Sequence, residues 1–131
     1  MTELAQAEMQ MLTQSVIQYL DEWKLSPSEI IKLLGIDGLV PLRQFQLYRK
    51  GEKALPQTPE VMARLEHLIG IADALRTTYP FSHQMRQIWL RQPHRRFEQQ
   101  SPLDVIQAQG IEGMVQVRAD IDCSYGFSGP R

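Results

Sequence analysis

Apolar residues recur along this chain at helical spacing, and no stretch alternates with the period of two expected of a half-buried strand. The first repeat predicts a helix from about Glu3 to Trp23. Met9, Leu12, Val16, Leu20 and Trp23 share one face, with Glu8, Gln14, Gln18 and Glu22 mostly off it. Ser26-Pro27-Ser28-Glu29 reads as a second helix start, with a serine cap, a proline at the first position and a glutamate closing a capping box. Ile30, Ile31, Leu33 and Leu34 follow, and Gly35 is a C-terminal stop. Gly35 to Pro41 forms a turn, after which Pro41 opens a third helix ending at Gly51.

Thr58-Pro59-Glu60 starts a fourth helix, striped by Val61, Leu65, Leu68, Ala72 and Leu75 and broken by Pro80. A fifth sets Phe81, Met85, Ile88 and Trp89 on one side and ends near Arg91. Ser101, Pro102 and Asp104 start a helix of about two turns that stops at Gly110. A last helix from about Ile111 aligns Met114, Val117 and Ile121. The expected fold is all-α, with about six or seven helices in two regions, residues 1–79 and 80–131.

Composition changes this picture little. The 131 residues are 43% apolar and 22% charged, ordinary for a globular chain of one domain or two very small ones. No apolar window is long enough to span a membrane, and the N-terminus lacks a basic signal-type region. The lone Cys123 rules out an intramolecular disulfide and suits a reducing cytoplasm, the expected location. Net charge is −1, but residues 38–97 carry 10 basic and 4 acidic side chains between two acidic ends. That centre suits either a phosphate-binding face or an ordinary solvated surface.

Catalytic chemistry finds little support. His67, His83 and His94 lack metal-ligand spacing with one another or with Cys123, and there is no phosphate loop or nucleophile elbow. No enzyme activity, metal or cofactor is expected. The short capped helix, turn and basic third helix instead suggest a helix–turn–helix. Arg43, Gln44, Gln46, Arg49 and Lys50 are candidates for base or phosphate contacts, with Lys53 in the loop beyond. Phe45 to Gly51 (FQLYRKG) resembles the end of the recognition helix of Xre-type repressors. The same pattern is equally met by Phe45, Leu47 and Tyr48 packing a bundle with solvated basic residues. The turn Gly35–Val40 is also longer than this motif usually has.

The segment Trp89–Phe127 resembles the C-terminal toxin-binding domain of the Xre/MbcA/ParS antitoxin family. The shared order is Trp89-Leu90, Pro93, Phe97, Pro102-Leu103-Asp104, a hinge at Gly110, and Tyr125-Gly126. With the preceding helix–turn–helix the likeness covers roughly residues 12–127. One departure is Glu98-Gln99-Gln100, where relatives tend to carry glycine; the turn must either avoid positive φ or adopt it at a cost. The resemblance implies an antitoxin that sterically blocks a RES-type, NAD-consuming toxin and represses its own operon as a dimer. With Met114, Val117 and Ile121 needed inside, Val115, Arg118 and Asp122 are left outward. The toxin-facing side would carry Arg118 and Asp122, continuing to Tyr125, Phe127 and Arg131. Core packing serves equally for Tyr125. The alternatives are a stand-alone DNA-binding regulator and an adaptor or inhibitor that does not touch DNA.

Overall fold

The computed structural model describes residues 4–126, and side chains as far as Asp122. Among these are seven α-helices and no strand: α1 (Gln6–Glu22), α2 (Pro27–Leu33), α3 (Phe45–Arg49), α4 (Pro59–Thr78), α5 (His83–Arg91), α6 (Pro102–Gln109) and α7 (Ile111–Gly126). The all-α expectation holds. Two 3-10 turns, Leu42–Gln44 and Arg95–Phe97, complete the order. The chain divides into two compact units, residues 1–65 and 66–131, with the division inside α4. No described helix is long and apolar enough to cross a membrane.

In the first unit α1 buries Met9, Thr13, Val16, Ile17 and Leu20, and α3 packs against it. Thr13 is the one polar residue in that stripe, and its hydroxyl both donates and accepts. It donates to the Met9 carbonyl at 2.7 Å and accepts from the Leu55 amide at 3.0 Å, tying the loop before α4 to α1. Ser26 caps α2 as expected: its Oγ accepts from the Glu29 amide at 3.2 Å, and the Glu29 carboxylate accepts from the Ser26 amide at 2.8 Å. Gly35 and Gly38 take φ of +74° and +88°, the left-handed backbone that turns the chain after α2. Pro41 is extended and precedes a 3-10 turn, so only the last part of the expected third helix is α-helical. The dihedrals of Gln44, φ −98° and ψ −1°, mark the change of pitch.

In the second unit the expected side of α5 is wrong. Ser82 caps the helix by accepting from the Met85 amide at 3.1 Å, so Phe81 falls before the cap and is 99% exposed. The buried positions are Arg86 and Leu90, with Met85 exposed. Arg86 is inside because it serves the end of α4, donating to the Tyr79 carbonyl at 2.6 Å. Ser101 caps α6 through the Asp104 amide at 3.0 Å, as the Ser-Pro-Leu-Asp pattern predicts. Gly110, with φ 62° and ψ −131°, then reverses the chain into α7. The two helices pack closely, because Gly113 faces the backbone of Val105. Leu103, Val105, Ile106, Met114, Val117 and Ile121 are buried.

Candidate functional site

The second unit places the candidate docking residues along α7. Val115 and Asp122 are exposed as predicted, but Arg118 is not a freely projecting cation. Its guanidinium folds back on α4, with Nη1 3.6 Å from Glu66 Oε2 and 3.3 Å from His67 Nδ1, and Nε 4.0 Å from Asp122. The absence of a side chain at Gly70 makes room: a Cβ there would lie 2.6 Å from the Arg118 Cζ. Tyr125 lies in α7 beyond the described side chains, and Phe127 and Arg131 lie outside the described residues.

Beside α7 stands the turn whose missing glycines distinguished the sequence. Arg96 reaches from it to Asp120 at 2.6 Å, pairing with a carboxylate whose side chain is only 10% exposed. His94 organises the turn from within. Its amide donates to the Gln100 carbonyl, its carbonyl accepts from Phe97 and Gln99, and its ring lies between Trp89 and Phe97. The His94 Nε2 sits 3.2 Å from the Trp89 carbonyl, so that nitrogen carries the proton. None of the three histidines has a metal-binding constellation among the described residues.

The turn does adopt positive φ, at two residues in succession: Glu98 at 54° and Gln99 at 70°. A side-chain-bearing residue in this region is disfavoured by about 1–2 kcal/mol, against about 0.5–1 kcal/mol of extra chain entropy lost when glycine is ordered. Both side chains are exposed, so little packing offsets the cost. Gln99→Gly is therefore expected to stabilise the protein by roughly 0.5–1 kcal/mol, seen as a rise of a few degrees in thermal midpoint. A fall in midpoint would show that the Gln99 side chain contributes more than the backbone strain costs.

In the first unit the candidate nucleic-acid face is centred on the 3-10 turn and α3. Arg43, Gln46, Lys50 and Lys53 are exposed, and Gln44 is half-exposed with its Oε1 3.5 Å from Lys53 Nζ. Arg49 is half-exposed and paired within the unit. It donates to both oxygens of Asp21 on α1, Nε to Oδ2 at 3.0 Å and Nη2 to Oδ1 at 2.8 Å, and its Cζ stands 4.9 Å from the centre of the Phe45 ring. Two further bonds hold α1 to the end of α3, from Gln14 Nε2 to the Lys50 carbonyl at 3.3 Å and from Gln10 Nε2 to the Glu52 carbonyl at 3.1 Å. Leu39 and Leu42 are exposed on the same stretch. Leu42, Phe45, Gln46 and Arg49, with Pro27 and Ser28, line a shallow cavity of about 220 Å³. Sequence reasoning missed Asp21, whose pairing spans 28 residues, and Leu42, which reads as an ordinary helix-face leucine.

Comparison with known proteins bears on the second unit most directly. Residues 74–122, from the last turn of α4 into α7, match the family described as the antitoxin Xre/MbcA/ParS C-terminal toxin-binding domain. The uncharacterized protein y4oB of Sinorhizobium fredii (strain NBRC 101917 / NGR234) is 30% identical over 106 residues. That similarity covers 81% of this chain and 78% of the relative.

Proposed function

The chain belongs to the Xre/MbcA/ParS antitoxin family, and from that premise we propose that it neutralises a RES-type, NAD-consuming toxin by steric obstruction and represses its own operon. The observation that carries the first part is the match over residues 74–122, which spans the helices that set the α7 face. We assign toxin binding to residues 80–131 and operator binding to the helix–turn–helix region of residues 1–79. Inhibition of this kind needs complementary surface and no chemistry in the antitoxin, and the NAD chemistry belongs to the partner. In α7, Val115 and Asp122 face outward, while Arg118 acts chiefly by fixing the helix against α4.

Co-expression with the product of the adjacent gene tests this reading. Growth and cellular NAD are expected to recover only when both proteins are made, and the two are expected to purify as one complex. Continued NAD loss in the presence of the full chain would rule out the toxin assignment. A second reading, a regulator that acts on DNA without any toxin, draws on the exposed Arg43, Lys50 and Lys53. It predicts operator binding with no partner protein in the complex. Operator binding, under either reading, is expected from a homodimer, since two symmetric half-sites are read by paired recognition elements.

A further inference from the structure

On the operator-binding reading above, we propose that Arg49 is a positioning residue, and that it presents Gln46, together with Leu42, to read a thymine-containing step in the major groove. Arg49 is the basic residue of α3 itself and would ordinarily be assigned to a phosphate or a guanine. Its charge is already matched by both oxygens of Asp21, at 2.8 and 3.0 Å. Breaking that partly exposed pair to reach DNA would give up a two-pronged, charge-assisted contact with α1.

The third donor of the guanidinium supplies the positive part of the argument. Arg49 Nη1 donates to Gln46 Oε1 at 3.1 Å. A guanidinium only donates, so the amide oxygen must face Arg49 and the amide nitrogen must face outward. Gln46 is thereby fixed as a hydrogen-bond donor toward solvent. Donors of this kind meet the acceptors of the major groove, the purine N7, guanine O6 and thymine O4. Leu42 stands four residues earlier, 58% exposed, and lines the same shallow cavity as Gln46 and Arg49. An exposed leucine alone means little, but beside an oriented donor its methyl groups suit the thymine C5-methyl. The cation–ring contact with Phe45 and the two glutamine bonds from α1 keep this five-residue helix, too short to persist alone, in one orientation.

The test uses the full chain, a duplex from the region upstream of its own gene and a scrambled duplex, titrated at several salt concentrations. Gln46→Ala is expected to lower affinity for the upstream duplex about tenfold and leave the scrambled duplex unchanged. Leu42→Ala is expected to weaken binding severalfold on thymine DNA and to have no effect once thymine is replaced by deoxyuridine. Arg49→Ala and Asp21→Asn are expected to lose discrimination with the salt slope unchanged, and Arg49→Ala to add little to Gln46→Ala. Arg43→Ala, as a phosphate contact, flattens that slope by about one unit.

A slope change of about 0.9 with Arg49→Ala would make Arg49 a phosphate contact and overturn the proposal. Full discrimination by Gln46→Ala would overturn it too. Both Gln46 and Leu42 are exposed, so their variants remain decisive even where Arg49→Ala fails to fold. A wild-type chain that binds both duplexes equally would instead remove the operator-binding reading itself, and this inference with it.

Discussion

Gly113→Ala is expected to destabilise the second unit by about 2–3 kcal/mol, the upper part of the roughly 1–3 kcal/mol typical of forcing extra atoms into a closed contact. A Cβ at this position would lie 2.9 Å from the Val105 carbonyl carbon and in collision with its oxygen, with Gln109 Cβ at 3.1 Å. The obstacle is backbone, so no rotamer change relieves it; α6 and α7 must separate. Alanine's better helix propensity returns at most about 1 kcal/mol, so the clash decides the sign. Chemical denaturation should show the loss as a lower midpoint, and heating should show a fall of roughly 6–12 °C. An unchanged midpoint would mean that the two helices are farther apart than described. Because α7 carries the proposed docking face, binding of the adjacent gene's product should weaken in parallel.

Shortening the chain after Asp122 is expected to abolish toxin neutralisation, with the thermal midpoint read alongside to separate lost binding from lost packing of Tyr125. The cut position matters. Ile121 is only 1% exposed, so a cut after Asp120 would remove a core side chain and confuse loss of binding with loss of structure. Ending at Asp122 keeps Ile121 and removes Tyr125, Phe127 and Arg131, the proposed aromatic and cationic contacts. Loss of one buried aromatic anchor at an interface typically costs more than about 2 kcal/mol, or about thirtyfold in affinity, and two are removed together. Toxicity on co-expression and affinity for the purified toxin are the measurements. Full neutralisation by the shortened chain would move the contact onto the exposed α7 positions, Val115 and Asp122.

What was legible in the sequence was what depends on residues within a few positions of one another. Ser26 with Glu29, and Ser101 with Asp104, mark helix starts because a cap bonds an amide three residues on. Gly110 was legible for the same reason. The strained turn could be foreseen as an alternative, since a glycine-favouring bend without glycine must be either rebuilt or strained, and the φ values of Glu98 and Gln99 show strain. The face of α5 was misread because an apolar pattern places Phe81 with Met85, whereas the Ser82 cap and the Tyr79 carbonyl's need for a donor decide which side turns inward. Arg49 with Asp21 and Arg118 with Glu66 escaped notice because each pairing depends on how distant helices pack. Residue type identified these arginines as functional candidates; the structure adds that each also pairs with a carboxylate of another helix.

Arg118 lying across Gly70 has a consequence for how this protein can change. A side chain at position 70 would meet the far end of Arg118, a flexible side chain that can swing toward solvent to make room. Gly70→Ala would therefore alter where the cation sits more than whether the helices pack, moving the guanidinium away from Glu66 and His67 and changing the charge that this side of α7 presents.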